Sequence, residues 1–331
     1  MREKILIITD NETDQVNGVV TTFKNLESQA LASGYSIVYL DPGQFRHCGA
    51  PGYPEVKLSW PWKIGEKIQA IDPTYIHIAT EGPIGLAARL WLERKGWNYN
   101  TSYHTKFPEF VKKLYHIPES LTYAYLRWFH KNSHCVLTTT DTMVRELQEH
   151  NFKSNVAAWT RGVDREYLKP SVQHQPNKIP RVLYVGRVSA EKNLDVLCSL
   201  QDDYNVVIVG DGPDRTRLES RYPRVTFLGY LHGQELANEY TLADVFAFPS
   251  RTDTFGIVII ESLSCGTPVA AYPVPGPVDI IESGNNGFLD CDLKNAIEQC
   301  LSLSRDHVKQ TSDRWTWSNC WNIFQQYLIR R

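Results

Sequence analysis

The sequence lacks any long apolar run. None of its 331 residues lie in a stretch approaching the ~18 that a spanning helix needs, so no helical membrane crossing is expected. The start, Met1-Arg2-Glu3-Lys4-Ile5, lacks the apolar core and cleavage site of a signal peptide. Paired cysteine motifs are missing too. Seven cysteines, an odd number, are scattered with no C-x-x-C, which favours free thiols in a reducing cytosol over disulfides or zinc. No charge of one sign dominates: 35 Lys and Arg against 37 Asp and Glu leave a net −2, without the footprint of a nucleic-acid binder. The phosphate-binding pattern G-x-x-x-x-G-K is absent. No G-x-G-x-x-G follows the first apolar run, which disfavours a dinucleotide-dependent dehydrogenase.

What is abundant is ordinary apolar sequence and aromatic residues. Hydrophobic residues make up 42% and charged residues 22%, values of a globular chain and not of a disordered one. The aromatics (9 Trp, 17 Tyr, 12 Phe) are numerous for a chain without membrane spans. Length suggests about two domains. Strand-like runs at Lys4–Thr9 (fully apolar), Tyr35–Leu40, Tyr75–Ala79, Asn100–His104 and His134–Thr139 alternate with helical stretches. The same alternation restarts at Arg181–Val185 and continues through Val206–Val209, Val225–Leu228, Val245–Phe248 and Pro268–Ala271. Runs of this kind read as parallel strands buried on both faces, linked by right-handed βαβ crossovers. The expectation is two doubly wound α/β domains, 1–168 and 181–312. The proline-containing segment 169–180 would link them, and a Trp-rich helix within 313–331 would pack back on the first domain. Ligands of open α/β sheets bind beyond the carboxyl ends of the strands, so the loops there are the places to search.

Gly186-Arg187-Val188-Ser189-Ala190-Glu191-Lys192 follows a strand and is read as opening a helix. Free N–H groups at a helix start, with Arg187 and Lys192 beside them, suit a diphosphate, though a solvated Arg and Lys is the plainer alternative. Ser250 to Gly256 follows another strand and precedes a helix carrying Glu261. Asp253 and Glu261 could hold the two ends of one long ligand, with the Thr254-Phe255-Gly256 backbone between; an N-cap and a satisfied Glu is the alternative. Gly18 opens the first helix, where a glycine permits close approach of a ligand or simply makes a turn. His104 ends a strand, and a histidine there can hydrogen-bond a hydroxyl, carry a proton or serve as a structural residue. His77 and Glu81, at the end of another strand, carry the same alternatives.

These segments together make the chain specific. QVNGVV, IHIATEGPIG, YHTKFPEF, RGVD, YVGRVSAEKN, VGDGP, FLGYLHGQEL, ADVFAFPSRTDTFGIVIIESLSCGTPVAAYPVPGPVDII and NGFL occur in that order. In this pattern the chain resembles retaining GT-B glycosyltransferases of family 4, in particular α-mannosyltransferase-like, sulfoquinovosyl-transferase-like and diacylglycerol-glycosyltransferase-like sequences. The resemblance implies two Rossmann-like domains facing a cleft and transfer of a hexose from a UDP- or GDP-sugar. It implies that Arg187 and Lys192 hold the donor diphosphate and that Glu261, the second acid of an E-x7-E motif, binds the ribose. Asp253 stands where the family has Glu at the donor sugar. Thr254, Phe255, Gly256 and Ile257 would contact sugar and phosphate. Gly18 and Val19 would approach the phosphate, and Leu228 and Tyr230 would meet the base. His104 would lie near the reacting carbon, with His77, Glu81 and Lys106 on the acceptor side.

The implied reaction needs no metal, and no D-x-D metal motif is expected. Retention would proceed on one face, the leaving phosphate taking the acceptor's proton, so catalysis would be mainly positioning and electrostatic stabilisation. A lipid acceptor such as diacylglycerol is the first expectation. A soluble acceptor, a sugar-nucleotide epimerase and a non-catalytic nucleotide-sugar binder are the alternatives. Residues 84–134 carry eight Lys or Arg against three Glu, interleaved with Phe107, Phe110, Tyr115, Tyr123, Tyr125, Trp128 and Phe129. That composition suits an anionic membrane surface contacted through 106–131, hence a cytoplasmic protein peripheral to the inner face. A buried helix with a charged fringe is the alternative.

Overall fold

A computed structural model describes residues 2–14, 18–50, 53–104, 106, 108, 111–112 and 116–331. The chain forms two compact units, Met1–Arg161 with Trp317–Arg331, and Gly162–Thr316.

The first unit contains β1 (Glu3–Ile8), β2 (Tyr35–Leu40), β3 (Arg46–Ala50), β4 (Tyr53–Trp60), β5 (Tyr75–Ile78), β6 (Asn100–Tyr103), β7 (Val136–Thr138) and β8 (Val156–Ala158). Six of these make an all-parallel sheet in the order β2-β1-β5-β6-β7-β8. Ile5 to Ile8 are fully buried, as a central strand covered on both faces requires. β3 and β4 form a separate antiparallel hairpin that the alternation of apolar runs did not reveal. Helix Gly18–Ala32 ends before Gly34, whose φ of +88° suits a residue without a side chain. Helix Pro83–Lys95 starts with proline in its first turn and closes on Gly96 in the left-handed conformation.

The C-terminal helix Trp317–Gln326 belongs to this first unit because its apolar face has nowhere else to go. Trp317, Cys320, Trp321 and Phe324 bury against Phe23, Tyr75 and Trp159. Phe324 alone removes about 1.5–3 kcal/mol worth of apolar surface from water. The indole groups find partners as well: Trp159 donates to the Cys320 carbonyl at 3.0 Å and Trp321 to Ser33 Oγ at 2.8 Å. Much of the unusual aromatic content is therefore the core of this unit.

The second unit contains β9 (Arg181–Val185), β10 (Asn205–Val209), β11 (Thr226–Gly229), β12 (Val245–Phe248), β13 (Val269–Ala271) and β14 (Gly287–Leu289). Their order, β11-β10-β9-β12-β13-β14, is the 3-2-1-4-5-6 order of a doubly wound dinucleotide-type sheet. The sequence boundary at 168 is corrected: Val163 and Leu168 lie in the core of the second unit. The segment 169–180 is likewise part of that unit and not a free linker. Ser171 N bonds Asn238 Oδ1 at 2.8 Å, and His174 and Asn177 bond the Asp244 carboxylate at 2.9 and 2.8 Å. Polar composition gave the appearance of a linker, but these side chains are attached to the surface beneath them.

Candidate functional site

In an open parallel sheet the strand order reverses at one point, and loops leaving there diverge to make a crevice. In the second unit that point lies between β9 and β12. The loops that leave it carry 186–193 and 249–256, which hold most of the donor residues expected from the sequence.

The first loop is shaped by glycine. Gly210 has φ +126°, and a Cβ there would stand 2.0 Å from the Gly186 carbonyl oxygen; one on Gly212 would stand 2.3 Å from the Val188 oxygen. The Gly210-Asp211-Gly212 turn thus lets backbone lie on backbone, with Val188 N bonded to Asp211 O at 2.9 Å. This turn, weak evidence by itself in the sequence, is what supports the loop carrying Arg187. The helix expected to open within 186–192 starts later. Residues Ala190–Lys192 form a 3-10 turn, Asn193 is left-handed, and the helix Leu194–Cys198 is only five residues long. Asn193 breaks the helix because its short amide side chain tolerates positive φ.

Lys192 Nζ reaches across to the second loop, 2.7 and 2.8 Å from the two Asp253 oxygens. Burial alone would raise the Asp253 pKa, but the charge and hydrogen bonds of Lys192 hold it below the ordinary carboxylate range. Beyond Asp253, Thr254 and Phe255 are buried and Gly256 takes φ +86° as the N-cap of helix Ile257–Ser264. Glu261 sits on that helix, its Oε2 accepting from the fully buried Tyr240 hydroxyl at 2.9 Å. Burial raises the Glu261 pKa and the Tyr240 bond opposes the rise. Leu228 on the edge strand β11 and Tyr230 just after it are exposed. Tyr240 was not singled out in the sequence, where it is one tyrosine in a mixed polar and apolar helix.

Among the described residues no group of three or more His, Cys, Asp or Glu could hold a metal ion. The expectation of no D-x-D triplet is corrected, since Asp290-Cys291-Asp292 is one. Its carboxylates are occupied as helix-start acceptors: Asp290 from Asp292 N at 2.9 Å and from Asn295, Asp292 from Lys294 N at 3.0 Å.

In the first unit the sheet reverses between β1 and β5. Asp10, which directly follows the first apolar run and drew no attention there, ties the two loops together. It accepts from Thr80 Oγ1 and Ile84 N, each at 2.8 Å, and so caps helix Pro83–Lys95. Burial pushes its pKa up to about 6. Gly18 is exposed at the start of its helix; Gln15-Val16-Asn17, the rest of that motif, lies outside the described residues. Val19 follows Gly18 half-buried.

His77 is not at a surface. It is fully buried on β5 among Phe23, Trp159 and Phe324, with Nε2 2.5 Å from Ser102 Oγ, and burial lowers its pKa to about 3. An acceptor contact is thereby replaced by a core role, because β5 is covered on both faces and all four of its residues are buried. Glu81 Oε1 lies 3.3 Å from Nε2 of the buried His130, and the Glu81 carbonyl accepts from Tyr125 at 2.6 Å. Lys106 is paired with Glu146 at 2.8 Å. His104, half-buried at the end of β6, has Nδ1 2.9 Å from the guanidinium of Arg161.

The basic aromatic segment divides. Tyr123 and Phe129 are core residues, whereas Ile117, Leu121 and Trp128 are exposed. Phe107, Phe110, Tyr115 and Lys113 lie outside the described residues. Arg89 is buried against Trp128 and paired with Glu93 at 2.9 Å, and Lys112 is paired with Glu119 at 3.0 Å. Local positive charge is thus partly neutralised. No described helix is long and apolar enough to cross a membrane.

Two parallel six-stranded sheets, one with a basic and acidic crevice at its reversal point, make up the GT-B fold. Sucrose-phosphate synthase from Thermosynechococcus elongatus has the same fold, with a TM-score of 0.79 at 20% identity over 98% of each chain. Residues 16–167 match Glycosyltransferase Family 4 and residues 168–310 match Glycosyl transferases group 1. The chain belongs to glycosyltransferase family 4 and is a retaining hexosyltransferase. A GDP-mannose-dependent alpha-mannosyltransferase of Mycobacterium tuberculosis is 28% identical over 86% of this chain and 83% of its own length. Alpha-monoglucosyldiacylglycerol synthase of Streptococcus pneumoniae is 25% identical over 93% of this chain and 80% of its own.

Proposed function

We propose that this enzyme moves a hexose from a UDP- or GDP-sugar to a hydroxyl of a membrane lipid such as diacylglycerol. The observation that carries the donor half is the Lys192–Asp253 pair at the reversal point of the second sheet. Lys192 and Arg187 would take the donor diphosphate and stabilise it as it departs, since cationic groups fixed in a partly buried site act most where charge develops. Asp253, released from Lys192 by the incoming phosphate, would accept from hydroxyls of the donor sugar. Glu261, oriented by Tyr240, would accept from the ribose. Thr254 to Ile257 would line the sugar and phosphate, and Leu228 and Tyr230, exposed and apolar, would receive the base. Gly18 and Val19 would lie near the phosphate. His104 would serve the acceptor side near the reacting carbon. The leaving phosphate would take the acceptor proton, so positioning supplies most of the rate.

Support for a lipid acceptor comes from one name and one surface. A relative is a diacylglycerol glycosyltransferase by its name. Leu121 and Trp128 on helix Glu119–His130, together with Trp60 and Trp62 of the same unit, present large apolar side chains to solvent. Amphipathic Trp and Leu groups beside Lys and Arg suit the headgroup boundary of an anionic bilayer. This reading places the enzyme at the cytoplasmic face as a peripheral protein. The mannosyltransferase relative favours GDP-mannose as the donor by its name, and a soluble acceptor is the second reading.

A thermal-shift panel of UDP- and GDP-sugars followed by transfer assays tests the proposal. The true donor stabilises the native state by mass action, about 2.7 kcal/mol at a hundredfold excess over Kd. Lys192→Ala and Glu261→Ala should abolish transfer in folded protein; full activity in both refutes the site. Flotation with phosphatidylglycerol vesicles decides the acceptor class, and absence of binding favours the second reading.

A further inference from the structure

Arg161 opens the R-G-V-D run, a segment to which the donor and acceptor roles above give no task. It is 3% exposed, although a guanidinium stays charged at any physiological pH. Its Nη1 donates to the carbonyl oxygens of Trp159 at 2.6 Å and Thr160 at 2.9 Å, and its plane lies 4.5 Å from the Trp159 ring centroid. Its Nη2 is 2.9 Å from His104 Nδ1. Among its described partners are two carbonyls, an aromatic face and an imidazole nitrogen, and no carboxylate. A buried cation so placed is costly, and such placements concentrate where a neighbouring group is being tuned.

The chemistry of the contact has one solution. A guanidinium carries donors only, so the nitrogen facing it must present a lone pair. His104 Nδ1 is therefore unprotonated, and the neutral imidazole keeps its proton on Nε2. Protonating Nδ1 would replace a hydrogen bond by contact between two cations. The imidazole is also held in plane, 5.8 Å from the Trp159 ring and 6.2 Å, edge to face, from Phe23.

We infer that Arg161 is a positioning residue that holds His104 as the neutral Nε2–H tautomer, so that His104 donates a hydrogen bond to substrate oxygen and does not act as a base. The role toward substrate rests on the reading of His104 given under Proposed function. Other titratable groups nearby do not reverse the assignment. Burial, then the Arg161 charge, then His77 depress the His104 pKa well below the ordinary value. His77 itself is neutral at pH 7. Cys320, which donates to the Thr160 carbonyl at 3.0 Å, is a neutral thiol pushed up to about 12 by burial.

The test is a long-range proton–nitrogen correlation spectrum of the full-length, 15N-labelled enzyme, with His104→Asn assigning the signal. The wild type should show unprotonated Nδ1 and protonated Nε2 at pH 7, unchanged down to pH 5. A protonated Nδ1, or an imidazolium at pH 6, overturns the inference, and this needs no Arg161 variant to fold. Arg161→Met should give mixed tautomers titrating at higher pH. Its kcat should fall about tenfold, the value of one well-placed hydrogen bond, with donor KM within twofold of wild type. Arg161→Lys, which restores a cationic donor, should recover the tautomer and part of kcat. An unchanged kcat in Arg161→Met overturns the positioning role. Absence of transfer by the wild type with every nucleotide sugar would instead overturn the function reading and leave the tautomer result standing.

Discussion

Replacing His77 by glutamine should make the protein less sensitive to acid. His77 is fully buried, and burial takes its pKa from the ordinary 6.5 down to about 3. The native-state value lies below the unfolded one, so the native protein binds fewer protons than the unfolded chain. The stabilisation is complete above pH 6.5 and is lost as pH falls. By linkage the loss is about 2 kcal/mol between pH 7 and pH 5, approaching about 5 kcal/mol below pH 3. His104 adds a loss of the same sign, because its pKa is also depressed. Asp10 acts oppositely: with its pKa raised to about 6, its contribution is full below the unfolded value of 3.8 and lost as pH rises through 6. Both remain in the variant and cancel from the comparison. His77→Gln keeps a polar group for Ser102 but loses ring contacts with Phe23, Trp159 and Phe324. It should be less stable than wild type at pH 7 by about 1–3 kcal/mol. Urea unfolding followed by tryptophan fluorescence at pH 7 and pH 5 measures both quantities. The drop between the two pH values should be smaller in the variant by about 2 kcal/mol. Equal drops in the two proteins would refute the reasoning, since His77 would then be protonated alike in both states.

Gly210→Ala should cost about 2–4 kcal/mol, because its Cβ meets the Gly186 carbonyl at 2.0 Å in a backbone conformation unfavourable to alanine; thermal unfolding measures the loss, and a wild-type midpoint would show that the turn adapts. Tyr240→Phe removes the hydroxyl bonded to Glu261 Oε2, and a hydrogen bond to a charged group is worth about 1.5–3 kcal/mol. Donor KM should therefore rise by roughly tenfold or more while kcat changes little, and steady-state kinetics over a donor series checks it.

Local pattern was enough for the strands. β9 and β12 fall within the runs read from the sequence, because a strand covered on both faces is apolar along most of its length. The hairpin β3–β4 was invisible for the opposite reason: its sequence has neither a continuous apolar run nor a clean alternation. The short strand β8 and the helices Leu293–Cys300 and Arg305–Thr311 were missed as well. At the site, Lys192, Asp253 and Glu261 were legible because loops after parallel strands are where ligands bind. Asp10, Tyr240 and Arg161 were not, since each acts by contacting residues at least 21 positions away in the chain.

The sequence by itself determined that two parallel α/β sheets form, which loops leave their carboxyl ends, and that the family is glycosyltransferase 4. Periodicity and turn residues are local properties, and local properties survive without a fold. Only the tertiary structure decided that His77 is core and His104 half-buried. It also decided that the segment 169–180 is fastened to the second unit, and that a buried arginine faces an imidazole nitrogen. Burial and pairing depend on what the rest of the chain places nearby, and hydrogen-bond partners set the protonation of a histidine.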